Sequence, residues 1–350
     1  STNFASERAS VEYLPGVISL AEIQQAIRDV GYDVIVSGEG VAAEDVERAA
    51  REAEVQDQTR KFWVGVAFTL PLFLLSMGRD LGLLGAWAHA PWVGRYLSAG
   101  NRGRELVEYA HWCNAVEGNT TFYATPAPTT VARWAEKAPP DFRFMFKLPR
   151  AVTHELRLHG GAHLRTTEFL RAIDPLGDRV GPIQIQLPPS FGPEALATLG
   201  RFVRDLPTDR RWVIELRHRA FFDGGPAHRA VDELLESAGT GRVVLDTRPL
   251  YAAPPRSEAS VGERSSKPRL PIVTGIMGDT PIVRVIGADD PETTHDGLTA
   301  WIPHLVAWIR EHREPYVFVH QPENLDSPAL ARRLHVAVAA EIPELRPLPE

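Results

Sequence analysis

The sequence predicts an α/β protein, a (β/α)8 TIM-like barrel preceded by a partial βαβ unit and a helical, apolar extension. Three observations carry that prediction. From about residue 82 onward, short β-type apolar runs alternate with amphipathic helical patterns. The runs are almost continuously apolar, as strands buried on both faces of a parallel sheet are. Eight such units fit into about 265 residues, close to the roughly 250 usual for this barrel.

Taken in order, the expected strands are Leu83–Trp87, Ala115–Glu117, Arg143–Lys147, Ile183–Leu187, Trp212–Leu216, Val243–Asp246, Ile282–Ile286 and Tyr316–His320. Between them the expected helices are Arg104–Trp112, Pro128–Ala138, Thr166–Asp174, Pro193–Leu206, Pro226–Ser237, Thr299–Glu311 and Ala329–Glu341. The stretch from Tyr251 to Ile272 is rich in Pro, Ser and Arg, and its length and composition predict a loop acting as an anion-sensing lid. Trp87, Trp92, Phe122 and Tyr123 flank the first two strand ends, where ordinary packing is the expectation and a stacking platform the alternative.

The N-terminal part reads differently, and the chain divides into residues 1–40, 41–84 and 85–350. Within Ser10–Val36, SLAEIQQAIRDVGY is a helix with Ser19 and Glu22 as a capping box and an apolar stripe of Leu20, Ile23, Ala26, Ile27 and Val30. Ala42–Lys61 is a strongly charged helix, read as a solvated arm. Phe62–Gly78 holds 17 residues without a charge, at the short limit for a bilayer span, which takes about 20. It lies far from the N-terminus behind an acidic stretch, which argues against a cleaved signal. Membrane association through residues 62–78 is therefore the alternative to a soluble protein, not the expectation.

Composition narrows the function classes. The chain of 350 residues is 44% hydrophobic and 24% charged with a formal charge of −7, enough for a core and without the net positive field that nucleic-acid binding needs. Cys113 is the one cysteine. It supports neither a disulfide scaffold nor a cysteine-ligated metal, and a cytoplasmic, reducing setting is expected. No Gly-rich phosphate loop, dinucleotide fingerprint, HExxH or HxH occurs, so neither a nucleotide cofactor nor a bound metal is expected.

Two resemblances attach to particular residues. The runs WAHAPWVGRY, NAVEGNTTFYATP, WAEKAPPDFRFMFKLPRAVTHE, GPIQIQLPPSFGP, WVIELRHRAFF, RVVLDTRPLYAAPPRSEA, PIVRVIGADD and YVFVHQPE make residues 85–345 resemble the YecE-like proteins, a bacterial family of unknown function (domain of unknown function 72). That resemblance implies a TIM barrel and no established reaction. Residues 1–93 resemble a fragment of a copper-transporting P-type ATPase, the end of its heavy-metal-associated domain plus its first membrane helix. The Cys-x-x-Cys pair, Cys-Pro-Cys and DKTGT of that family do not occur in this sequence, so copper-pump activity is not expected of it. The first strand of the YecE-like family precedes the tryptophan motif. Here that stretch falls in LGAWAHAPWV, which suits both families and reads as a recombination point or a gene-model chimera.

A barrel of this class carries its site at the C-terminal ends of the strands, where polar residues close apolar runs. Lys147, Glu117, Glu215 and Asp246 are the expected catalytic groups. Asn119, His154, Gln186, Arg217, His218, Arg248, Arg284 and His320 are the expected substrate-binding groups. Lys147 is the most informative, because only four of the 38 basic residues are Lys; a desolvated Lys can serve as base, Schiff-base nucleophile or anion contact. The carboxylates would do acid–base work, one raised in pKa and one ionised beside an Arg. The expected protein is an enzyme on a small anionic, phosphorylated or sugar-like metabolite. The alternatives are a non-catalytic ligand-binding barrel and a divalent-metal-dependent hydrolase or isomerase, in which the acids join His154, His218 or His320.

Overall fold

A computed structural model describes residues 2–3, 8–9, 18–29, 92, 95–98 and 104–348. The chain forms two compact units, Ser1–Ala88 and His89–Glu350. In the first, β1 (Thr2–Asn3) pairs antiparallel with β2 (Arg8–Ala9), and α1 spans Leu20–Asp29. The capping box forms as the sequence predicts. Glu22 Oε2 accepts from Ser19 N at 2.8 Å and from Ser19 Oγ at 2.7 Å, while Glu22 N donates to Ser19 Oγ at 3.3 Å. The charged run 42–61, the apolar run 62–78 and Leu83–Trp87 lie outside the described residues. Among the described residues, no helix is long and apolar enough to cross a membrane.

Among the described residues the second unit has seven parallel strands hydrogen-bonded in chain order: β3 (Ala115–Gly118), β4 (Arg143–Lys147), β5 (Val180–Gln186), β6 (Trp212–Glu215), β7 (Gly241–Asp246), β8 (Ile282–Ile286) and β9 (Tyr316–His320). Helices separate them: α2 (Glu105–Tyr109) precedes β3, and α3 (Pro128–Lys137), α4 (Ala162–Ile173), α5 (Leu196–Arg204) and α6 (Pro226–Ser237) fill the next four crossovers. Then follow α7 (Arg248–Ala252), α8 (Glu258–Ser266), α9 (Pro291–Thr299), α10 (Ile302–Arg310) and α11 (Ser327–Glu341). Pro opens α3, α6 and α9, where its missing N–H and fixed φ suit a first helical turn. The sheet curls into a nearly closed barrel, with β3 and β9 facing each other across the seam.

Period-two alternation sorts each strand into an outward and an inward set. Outward residues such as Phe144, Phe146, Ile183 and Ile214 join helix residues such as Phe169, Leu199 and Val231 in one core. Val244, Val283 and Val285 pack beside Leu298, Trp301 and Leu334 in another. Inward, Met145, Val213, Val243, Ile282, Tyr316 and Phe318 form an apolar plug against Ala115. One irregularity sits between β4 and β5, where the pairing passes from Phe144↔Val180 to Phe146↔Ile183 and Lys147↔Gln184. The backbones come close there: a Cβ on Gly181 would stand 3.2 Å from the Phe144 carbonyl oxygen.

Two expectations are corrected. Tyr251–Ile272 is not one long loop. α7 and α8 occupy much of it, with Ser257 capping α8 by accepting from Ser260 N at 3.0 Å. Three of its basic groups, Arg264, Lys267 and Arg269, are committed to local contacts. Arg264 Nη2 donates to the Leu250 and Ala253 carbonyls, Lys267 pairs with Glu263, and the Arg264 and Arg269 guanidiniums lie over the Tyr251 ring. Thr299–Glu311 is the end of α9 and all of α10; α9 starts earlier because Asp290 caps it, accepting from Thr293 N at 2.8 Å.

Candidate active site

One residue further along the inward face of five strands, the plug gives way to charge. Ala115 is followed on its face by Glu117, Met145 by Lys147, Val213 by Glu215, Ile282 by Arg284 and Phe318 by His320. Lys147, Gln184, Glu215 and Arg284 are buried, so water cannot satisfy them and they must satisfy one another. Arg284 sits at the centre. Its Nη1 donates to Glu215 Oε2 at 2.8 Å and its Nη2 to Glu117 Oε2 at 3.1 Å. Its Nε stands 2.7 Å from Glu117 Oε1, an ion-pair contact bent out of hydrogen-bond alignment. Glu215 also accepts from Arg217 Nε at 2.7 Å and from Gln184 Nε2 at 2.6 Å. Glu117 meets Lys147 Nζ at 3.3 Å and accepts from Asn119 Nδ2 at 3.2 Å. Lys147 Nζ in turn donates to Asn119 Oδ1 at 2.6 Å.

This network fixes the charge states. Burial opposes ionisation of Glu117, but Arg284, His320 and Lys147 overcome it and hold the carboxyl well below the usual range. Burial likewise opposes ionisation of Glu215, and Arg217, Arg284 and Lys147 bring it down to about 2. Both carboxylates are therefore anions at neutral pH, and neither is the raised acid that a two-carboxylate mechanism needs. The group poised near neutrality is Lys147. Burial and the Arg284 charge lower it to about 8, against the pull of Glu117 and Glu215.

The structure brings Glu117, Asn119, Lys147, Glu215, Arg217, Arg284 and His320 together. Gln186 shares their face, buried and in register with Glu215. His154 stands at the rim on a single π-helical turn, Ala151–Glu155, edge-on to Phe122 with ring centroids 5.0 Å apart. Burial and the charges of Arg217, Arg150 and Arg157 lower its pKa, so several cations converge around it. Three expected residues stand apart. Asp246 takes the outward parity of β7 and accepts from Trp301 Nε1 at 2.9 Å and Arg248 Nε at 2.9 Å. Arg248 is committed to that pair. His218 caps a short 3-10 turn, its Nδ1 accepting from Ala220 N at 3.3 Å.

Gln184 is the inward residue that sequence reasoning missed. Its signal was available: it lies two residues before Gln186 on one face of an otherwise apolar strand. The donor set does not favour a metal in this layer, since Lys147 and Arg284 occupy the approaches to Glu117 and Glu215. His159 and His163 do not join it. They face Thr198 and Asp205.

Across the seam between β3 and β9 runs a cleft of about 680 Å³. Glu117, Asn119, His320, Asn324 and Trp92 are among the residues that line it. Trp92 stacks on Tyr109 with centroids 5.7 Å apart and donates from Nε1 to the Asn324 carbonyl at 2.6 Å.

The family described as "Protein of unknown function DUF72" matches residues 82–350. The UPF0759 protein YecE of Escherichia coli (strain K12) is 36% identical over 263 residues, covering 75% of this chain and 94% of that protein. A crystal structure of a DUF72 family protein from Thermotoga maritima MSB8 superposes with a TM-score of 0.52 at 22% identity, covering 70% of this chain and 95% of that one, which is a likeness of fold. Copper-transporting ATPase 1 of Rhizobium meliloti (strain 1021) is 40% identical over 79 residues, 22% of this chain and only 9% of the ATPase.

Proposed function

We propose, for a chain that belongs to the DUF72 family of proteins of unknown function, an enzyme site for a small anionic metabolite of the phosphorylated or sugar-like class. Lys147 is its acid–base or nucleophilic group. The observation that carries this reading is the charge balance of the polar layer. Two carboxylates, Glu117 and Glu215, face three cations, Lys147, Arg217 and Arg284, and His154 stands among further guanidiniums at the rim. A mouth with cationic surplus and low dielectric concentrates anions and strengthens their contacts. Arg284 is wholly committed below, so the binding of substrate charge falls to Arg217, His154 and Lys147. A pKa of about 8 gives Lys147 an accessible neutral fraction for proton transfer or carbonyl attack. No nucleic acid and no membrane enters this reading, and the lone cysteine supports a cytoplasmic setting.

One observation favours the second reading, a ligand-binding barrel without chemistry: both carboxylates are fully neutralised and so read as supports. Titration calorimetry of the full chain with dihydroxyacetone phosphate and inorganic phosphate separates the possibilities, followed by borohydride treatment and mass spectrometry. Binding that weakens at least tenfold in Arg217→Gln, with turnover or trapping lost in Lys147→Met, supports the enzyme. Binding by the unaltered protein with neither turnover nor trapping leaves a binding module. No binding of either anion to folded protein overturns both.

A further inference from the structure

His320 ends β9 with its ring at the seam, and its Nε2 lies 3.0 Å from Glu117 Oε2. Arg284, Lys147 and Asn119 crowd the same carboxylate. A carboxylate held ionised in this way accepts hydrogen bonds and has no hydrogen to give. In the neutral ring the shared hydrogen therefore belongs to Nε2, and Nδ1 keeps its lone pair. Nδ1 has no partner among the described residues. The His320 side chain is 25% exposed while that of Glu117 is 3% exposed, and the ring lines the cleft between β3 and β9. An imidazole with an acceptor-only carboxylate fixed behind one nitrogen, no partner among the described residues on the other and its ring lining a cleft is an oriented proton acceptor. The other side of Glu117 holds the Lys147 ammonium and the exposed Asn119 amide, donors suited to a developing oxyanion.

We infer that His320 Nδ1 is the proton-accepting atom of this site, that Glu117 is its positioning residue, and that the substrate presents a C–H next to a carbonyl. The inference rests on the reading of the site as one for small anions and names the substrate class more closely. In the step, the C–H bond breaks and its proton passes to Nδ1. The electron pair forms the C=C of an enolate, and the charge on the former carbonyl oxygen meets Lys147. Where the α-carbon bears a hydroxyl, passage of that hydroxyl's proton to the oxyanion and return of the carbon proton to the former carbonyl carbon gives an aldose–ketose isomerisation, and return to the α-carbon from the opposite face gives an epimerisation, in either case with no net oxidation and no co-reactant.

The full chain labelled with [15N]histidine, with His320→Gln to assign the signals, reports the tautomer in a long-range 1H–15N correlation spectrum recorded where the ring is neutral. The expected result is Nε2–H with a bare Nδ1; an Nδ1–H tautomer overturns the inference. Glu117→Gln should lose this fixed preference, and if that variant does not fold the wild-type spectrum still decides. Incubation with dihydroxyacetone phosphate in D2O should exchange its carbon-bound hydrogen, and His320→Gln should slow that exchange by at least about 100-fold. Bound dihydroxyacetone phosphate without exchange overturns the carbonyl substrate alone. Failure to bind it or inorganic phosphate overturns the underlying anionic reading instead.

Discussion

The inside of the barrel holds two neighbouring layers made by the same strands. The lower, with Met145, Val213, Val243 and Ile282, is an apolar plug; the upper, with Lys147, Gln184, Glu215 and Arg284, is an ion network. Two residues along a strand separate them, so both experience the same closure and the same exclusion of water. The difference lies in what burial does to each. Removing apolar surface from water stabilises by roughly 25 cal/mol per Å², and the plug accounts for itself. Burying charge is unfavourable unless every partner is present, and apolar replacements of a whole buried network are often as stable or more so. The upper layer is thus better understood as a device for the site than as a support for the fold.

The sharpest way to break that contrast is Arg284→Met. It strands two buried carboxylates and should destabilise by about 3–5 kcal/mol, read as a shift in the urea midpoint. Replacing Glu117, Lys147, Glu215 and Arg284 together by apolar residues of similar volume should recover most of that stability and abolish anion binding. If the fourfold variant stays as unstable as the single one, the layer is structural after all. In the plug, Met145→Ala should lose about 2–5 kcal/mol through transfer and cavity terms and leave the dissociation constant for phosphate unchanged in calorimetry.

Of the two layers, only the upper responds to acid. Glu215 lies at about 2 when folded, against 4.5 for an ordinary carboxyl, so its contribution is complete above the unfolded value and is lost as pH falls through the folded one. Stability should therefore drop between about pH 4.5 and 2, by roughly 3 kcal/mol for this group, and Glu215→Gln should flatten the profile. Lys147 works with the opposite burden. Its folded value of about 8 lies below 10.5, so the unfolded chain binds more protons between these values. Stability should rise across that window by at most about 3 kcal/mol, and Lys147→Met should remove the rise. The smallest effect belongs outside both layers. Arg248→Gln touches a pair whose arginine side chain is 58% exposed; it should shift stability by less than about 1 kcal/mol and leave phosphate binding alone.

The strands were legible in the sequence because buried parallel strands are continuous apolar runs, and Arg143–Lys147, Ile282–Ile286 and Tyr316–His320 emerge with the expected limits. So was the idea that polar residues ending those runs would meet. Parity was the missing step. Asp246 ends β7 as Glu215 ends β6, yet it faces the helix layer and Trp301, because alternation and not position along the strand decides the face. Composition misled at Tyr251–Ile272, where Pro and Ser suggest a loop but Ser257 caps a helix and Asp289 holds it, accepting from Arg256 N at 2.7 Å. Charge states were beyond a linear reading, since they follow from which cations surround each carboxylate.

The slip in pairing between β4 and β5 has a larger meaning than its size suggests. Had the register of Phe144↔Val180 continued unbroken, Lys147 would stand beside Ile183, and Gln184 and Gln186 would turn toward the helices. The ring of hydrogen-bonding groups would be interrupted at the strand that joins Lys147 to Glu215. The irregularity works as a counting correction: one added residue in β5 brings two strands back into phase at the height where the plug ends. Loops around the barrel can gain or lose residues with modest consequence. A deletion of one residue between Val180 and Ile183 would instead invert Ile183–Gln186, keeping the backbone pairing while exchanging the chemical face of that stretch for its greasy one.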